Sequence, residues 1–259
     1  MNIPKIIHSI WLGNSEKPAI VLKCFSTWKK FHPEYDFFHW NLENTSHIKN
    51  RFFREAVLAE KWAFASDYLR LYVLSTYGGL YLDSDLEVFQ CLDEFLENEF
   101  FLGFEVYKGK ALPMTAIIGA KKGNKIIGHI MSHYNKSFVV GKGYDMTPNT
   151  KIFAEELKLF GLNHPFNPRL HLTLKPKNSR IYPAYYFCTP EKDEPSYAMH
   201  HFQGSWIDGH KLILQISLLI FTLFIAKNNS WEKNKYRPPK KNKTICFRIK
   251  KYNFVISFD

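Results

Sequence analysis

Two aspartates one residue apart, Asp83 and Asp85, sit inside the stretch Tyr77–Val88, YGGLYLDSDLEV. Leu80, Tyr81 and Leu82 before them, and Leu86 and Val88 after them, read as apolar strand. A buried charge is costly unless it is paired or bound to a metal. Clustered carboxylate oxygens suit a hard divalent cation, which often also holds phosphate. A polar turn between two strands accounts for Asp-Ser-Asp as well, since both residue types favour turns. Upstream, Asp67 and Arg70 are three apart in a helical pattern and share one face, which on its own means a local ion pair. Near the other end, His200 and His201 are adjacent; on a strand they point to opposite faces, so only one of them can reach a given ion. His8 and Trp11 close the apolar run Lys5–Trp11, at the strand end where open α/β sheets bind ligands, although both also fit a core role.

The elements that must carry these groups follow from periodicity. Lys5–Trp11, between Pro4 and Gly13, reads as a buried first strand. Ile20, Val21, Cys24, Phe25 and Trp28 give a helix over Pro18–Phe31, with proline suited to its start. Tyr35–Trp40 reads as a second strand, so the order is β-α-β and the sheet parallel. Thr45–Phe53 is polar and gives no clear element. Glu55–Tyr77 lacks Gly and Pro and predicts one long helix, ended by Gly78-Gly79, with Ala56, Ala59, Ala63, Leu69, Val73 and Leu74 as its buried stripe. Beyond the aspartates the pattern predicts a short helix at Leu92–Glu97 and strands at Phe100–Phe104 and Thr115–Ala120. It then predicts a helix from Lys125 to about Tyr134 capped by Asn124, a glycine-rich loop over Val140–Thr147, and a helix from Pro148 to about Phe160. Gly141-x-Gly143 lacks the strand-to-helix context of a phosphate loop. Leu162–Pro195 reads as irregular with short strands, and Tyr197–Phe202 as a late strand. No internal repeat is evident.

The chain has 259 residues, 46% hydrophobic and 17% aromatic, enough for one sizeable domain with a small appendage. Its net charge of +11 is unevenly placed: Lys211–Asp259 holds eleven Lys and Arg against two acidic residues, leaving 24 basic and 22 acidic residues elsewhere. The nearly neutral body argues against a nucleic-acid-binding core, and the basic tail suits an anionic surface such as a membrane. Within that tail, 15 apolar-rich residues between Lys211 and Lys227 fall short of the ~20 needed to span a bilayer. They read as a helix lying in a membrane interface or packed on the body. A final strand is expected over Thr244–Phe258. The start, MNIPKIIHSIWLG, lacks the pattern of a secretory signal, and the scattered Cys24, Cys91, Cys188 and Cys246 suggest reduced thiols. The expectation is a cytoplasmic protein, peripheral on the inner face of the cell membrane, with domains at 1–210 and 211–259.

Three ordered blocks carry a resemblance: IPKIIHSIWLG (Ile3–Gly13), FASDYLRLYVLSTYGGLYLDSDLEV (Phe64–Val88) and YAMHHFQGSW (Tyr197–Trp206). Together they frame almost all of Met1–Trp206, and the chain resembles glycosyltransferase family 32. That group carries a DXD motif and includes capsule and lipopolysaccharide enzymes and initiating mannosyltransferases; the glucosylating bacterial toxins are more distant relatives. The resemblance implies a GT-A fold, a Rossmann-like, mostly parallel sheet flanked by helices. It also implies a retaining transfer of a hexose from a UDP- or GDP-sugar to a glycan or lipid-linked glycan, with Mn²⁺ or Mg²⁺. By position it implies that Trp11 stacks on the base, Asp67 meets the ribose or sugar, and Arg70 meets the diphosphate. Tyr81 then lines the donor pocket. Asp83 contacts the sugar, Asp85 and His200 bind the metal, and Ser205 and Trp206 close over the β-phosphate. Retention by front-face substitution is expected, as no carboxylate nucleophile stands out. Two other readings stay open: a toxin-like effector that glycosylates a protein, and a non-enzymatic basic module that binds membrane or nucleic acid.

Overall fold

A computed structural model describes residues 2–107, 109–163 and 165–203, together with the strands Lys243–Ile249 and Tyr252–Phe258. The chain divides into two units, Met1–Ile207 and Asp208–Asp259.

In the first unit, strand β1 (Ile6–Ile10) is followed by helix α1 (Ala19–Phe31) and strand β2 (Asp36–Trp40). Helices α2 (Arg51–Leu58) and α3 (Trp62–Tyr77) come next, then β3 (Gly79–Leu82) and β4 (Leu86–Val88). A 3-10 turn at Asp93–Glu97 leads to β5 (Phe100–Tyr107), β6 (Lys110–Ala120) and α4 (Lys125–Ser132). The small hairpin β7 (Val139–Val140) and β8 (Gly143–Tyr144) precedes α5 (Asn149–Glu156) and a 3-10 turn at Leu157–Phe160. Strands β9 (Leu172–Leu174) and β10 (Ser179–Tyr182), helix α6 (Ala184–Phe187) and strand β11 (Ala198–His200) complete it.

The main sheet has the order β2-β1-β3-β6-β5-β10-β9. Strands β1, β2, β3, β5 and β10 run one way; β6 and β9 run the other. This is the mostly parallel α/β sheet expected. The antiparallel β6 matters to the site, since it lies between β3 and β5 and joins the strand before Asp83 to the strand bearing Glu105. Strand β4 leaves the sheet and pairs antiparallel with β11. In the second unit, β12 (Lys243–Ile249) and β13 (Tyr252–Phe258) form an antiparallel hairpin, where the pattern had predicted one strand.

Several expectations change. The long helix Glu55–Tyr77 is two helices. Asn50 accepts the Phe53 N–H at 2.9 Å and starts α2 early, and Glu60 takes a left-handed φ of 54° that breaks the run without any Gly or Pro. The glycine-rich Val140–Thr147 holds the β7–β8 turn; Gly141 has φ 59°, which suits a tight hairpin. The apolar stretch between Lys211 and Lys227 lies outside the described residues. Among those described, no helix is long and apolar enough to cross a membrane.

Three contacts fix the D-x-D segment. Gly79 has φ 105°, and a Cβ there would come within 2.6 Å of the Ile6 carbonyl, so only glycine lets β3 enter beside β1. On the far side, the Trp28 indole on α1 donates to the Leu86 carbonyl at 2.7 Å. Thr27 Oγ1 accepts the Val88 N–H at 3.1 Å. Trp28, Leu80, Leu82, Leu86 and Val88 are all fully buried, so the aspartates ride on a rigid core.

Candidate active site

Asp83 and Asp85 lie on the turn from β3 to β4. The Leu86 N–H bonds the Asp83 carbonyl at 2.9 Å, and the Asp83 N–H bonds Ala116 of β6 at 2.8 Å. The sequence thus does form a polar turn, and the turn gathers the carboxylates instead of dispersing them. Pairing of β11 with β4 sets His200 opposite Leu86. As a result one ligand atom each from Asp83, Asp85 and His200 fall within 4.8 Å of one another. His200 Nε2 stands 3.4 Å from Asp85 Oδ1, and the Gln203 N–H donates to Asp85 Oδ2 at 2.9 Å.

The neighbouring His201 turns the other way. Its Nε2 is 2.9 Å from Glu87, which also pairs with Lys23 at 2.8 Å. The two histidines therefore face different carboxylates, as period-two strand geometry requires.

Burial disfavours the charged form of Asp85, but the His200 hydrogen bond and charge outweigh it and hold its carboxyl below the usual range. For His200, burial lowers the imidazole, and Asp85, Asp83 and Glu105 overcome it and raise it. His200 Nδ1 is buried and has no hydrogen-bond partner. Two carboxylates, one imidazole and an orphaned ring nitrogen on the same histidine fit a divalent cation of the Mn²⁺ or Mg²⁺ kind, with imidazole favouring Mn²⁺.

Behind this cluster lies a buried polar layer. The Tyr81 hydroxyl donates to Asp83 Oδ1 at 2.5 Å, and the Arg70 guanidinium sits 4.6 Å from the centre of the Tyr81 ring. Arg70 Nη1 lies 3.2 Å from Asp83 Oδ1 and donates to the Thr115 carbonyl at 2.8 Å. Nη2 lies 3.0 Å from Asp67 Oδ1, which also accepts from Asn149 at 2.6 Å. Burial raises Asp67 against the opposing pull of Arg70.

The expected site residues thus separate. Asp83, Asp85 and His200 come together at a partly open position. Asp67, Arg70 and Tyr81 are 7%, 5% and 2% exposed, so they brace Asp83 from beneath; Tyr81 is no pocket wall, and the nitrogens of Arg70 are already engaged. His8 is corrected outright. It is fully buried, its Nε2–H donates to the Gly78 carbonyl at 2.8 Å, and its Nδ1 accepts from the Trp40 indole at 3.2 Å, leaving nothing for a substrate. Burial lowers its imidazole to about 4. Trp11 is half-buried; its indole donates to the Ser15 carbonyl at 2.9 Å, with Lys17 over its ring. Ser205 and Trp206 lie outside the described residues.

One residue escaped the sequence reading. Glu105 on β5 is 9% exposed, and burial pushes its carboxyl up to about 7, with His200 pulling it down and Asp83 pushing it further up. The available signal was a lone charge in the apolar strand FFLGFEVY.

Residues 18–102 match the family described as glycosyltransferase sugar-binding region containing DXD motif. That match spans α1 through the D-x-D and the start of β5, the segment that builds one side of the cluster. Residues 18–102 are thus similar to the DXD-containing sugar-binding region of glycosyltransferases, which supports a transferase enzyme. The chain is also 26% identical over 174 residues to an uncharacterised glycosyltransferase of Acanthamoeba polyphaga mimivirus, covering 64% of this chain and 68% of that protein. Among solved structures it is similar to the PaToxG glycosyltransferase at 19% identity and a TM-score of 0.46, over 61% of this chain and 70% of that one. It is similar too to a glycosyltransferase involved in glycosylation of the major capsid of PBCV-1, at 16% identity and a TM-score of 0.41, over 76% and 93%.

Proposed function

We propose that this glycosyltransferase is metal-dependent and retaining, and that it moves a hexose from a UDP- or GDP-sugar to a glycan or lipid-linked glycan in cell-surface polysaccharide synthesis, such as capsule or lipopolysaccharide. The observation that carries the metal dependence is the convergence of Asp83, Asp85 and His200 within 4.8 Å. A bound divalent cation supplies Lewis-acid stabilisation for the charge that develops on the leaving diphosphate.

The chain's own residues divide the remaining work. Asp85 and His200 would hold the cation, with Asp83 placed to meet both it and the donor sugar. Arg70 and Tyr81 hold Asp83 in place and aimed, through a contact at 3.2 Å and a hydrogen bond at 2.5 Å. Trp11, the half-buried aromatic after β1, stacks on the base. Ser205 and Trp206 are proposed to cover the diphosphate and exclude water. Retention proceeds by front-face substitution, in which the leaving phosphate takes the proton of the acceptor hydroxyl and no covalent glycosyl-enzyme forms. The basic 211–259 segment is proposed to rest on the anionic inner face of the membrane, beside a lipid-linked acceptor.

The test has two parts. A thermal-shift screen of UDP- and GDP-hexoses with Mn²⁺ identifies the donor; the anomeric proton coupling of the product then reports stereochemistry. Retention is expected, with unmodified protein mass in quenched reactions. An inverted product, or a glycosylated enzyme intermediate, overturns the mechanism.

A further inference from the structure

The metal reading leaves one polar atom unexplained, the buried Nδ1 of His200. A cation held at Nε2 fixes the other ring nitrogen as N–H, and a buried N–H needs an acceptor. Gly103 and Glu105 are two apart on β5 and share a face. A Cβ on Gly103 would stand 3.1 Å from the Phe187 ring, so the bare glycine lets α6 settle against this face of β5. The next residue after Phe187, Cys188, accepts the His200 N–H on its carbonyl at 3.0 Å. The Cys188 thiol meets the backbone of Val106, the residue after Glu105 on β5, and burial pushes it up to about 11. The Phe202 ring lies 4.2 Å from the imidazole, centre to centre. Among the described residues the Glu105 carboxylate has no hydrogen-bond or ion-pair partner, although its charge acts on both His200 and Asp83.

We propose that Glu105 is the positioning residue for His200, its carboxylate accepting the Nδ1–H when the imidazole is engaged as a metal ligand at Nε2. Two buried groups without partners, both close to Cys188 but not in hydrogen-bond contact in this structure, would then turn to satisfy each other in the metal-loaded protein. The proposal rests on the metal reading above, and it makes Glu105 an outer partner of the site, not a ligand or a nucleophile.

The test is calorimetric titration of Mn²⁺ alone into the full chain, with metal-free melting measured in parallel. Wild type binds, and Asp85→Ala does not. Glu105→Leu is expected to bind Mn²⁺ about 10–100-fold more weakly, the usual cost of losing an outer partner. Its metal-free melting temperature should equal or exceed that of wild type, since an unpaired buried carboxyl has been removed. Glu105→Gln keeps an oxygen acceptor and is expected to bind within a few-fold of wild type. Equal losses in the Gln and Leu variants overturn the proposal in favour of a direct role for the charge, and wild-type affinity in both overturns it altogether. If wild type itself fails to bind Mn²⁺, the metal reading falls first and this inference falls with it.

Discussion

Arg70 Nη1 stands 3.2 Å from Asp83 Oδ1, which ties the middle of α3 to the first aspartate of the D-x-D motif. The same guanidinium holds Asp67 at 3.0 Å, so one buried cation compensates two carboxylates.

Arg70→Ala is therefore expected to be severe. It leaves Asp67 and Asp83 facing each other without compensation, and breaking a buried pair in this way costs about 3–5 kcal/mol. Urea denaturation of the metal-free protein measures it; a loss under about 1 kcal/mol contradicts the bracing role.

Tyr81→Phe removes only the hydroxyl that donates to Asp83 at 2.5 Å. The fold should lose about 1 kcal/mol, the net worth of one hydrogen bond. Mn²⁺ binding should weaken as well, because Asp83 is freed to turn from the cluster. Unchanged Mn²⁺ affinity by calorimetry separates Tyr81 from the site.

The pH dependence of stability has a definite sign at His8. Its folded imidazole titrates at about 4, below its ordinary 6.5, because burial disfavours the charged form. Between these values the unfolded chain takes up a proton that the folded chain refuses. His8 thus leaves stability intact above pH 6.5 and erodes it as pH falls toward about 4, by about 3 kcal/mol in all at about 1.4 kcal/mol per unit. Burial lowers His32 too, with the same sign. His8→Gln should be less stable at pH 7, having lost bonds to Gly78 and Trp40, but flatter between pH 6.5 and 4. A slope equal to wild type in urea midpoints excludes His8 as the source.

Gly79→Ala should abolish folding or cost several kcal/mol. Its φ of 105° is strained for any L side chain, and the new Cβ would meet the Ile6 carbonyl at 2.6 Å. Circular dichroism of the purified variant decides this, and a native spectrum with an unchanged melting temperature contradicts it.

The sequence made the sheet and the D-x-D legible for physical reasons. Apolar runs bounded by Gly and Pro mark β1 and β3, and 3.6-residue spacing marks α1. The break between α2 and α3 was hidden, because Glu60 adopts a left-handed conformation that no Gly or Asn announced. The carboxylate cluster was legible in Asp83, Asp85 and His200, but exposure was not. Asp67, Arg70 and Tyr81 have the residue types of a ligand site, yet tertiary packing turns them into its support. His8 shows the same limit, since a strand-end histidine reads alike whether it faces ligand or core. Glu105 comes near the cluster through the antiparallel β6 and the approach of α6 to Gly103, contacts that no local pattern encodes.

Asp83, Asp85 and His200 are proposed to hold a divalent cation that the sugar transfer needs. Nucleotide release from a panel of UDP- and GDP-hexoses, with Mn²⁺ and with EDTA, measures it most directly in wild type and Asp85→Ala. Turnover of at least one donor is expected, with its loss in EDTA, its return with added Mn²⁺, and near-complete loss in a folded Asp85→Ala protein. Turnover that persists in EDTA, or in Asp85→Ala, contradicts it.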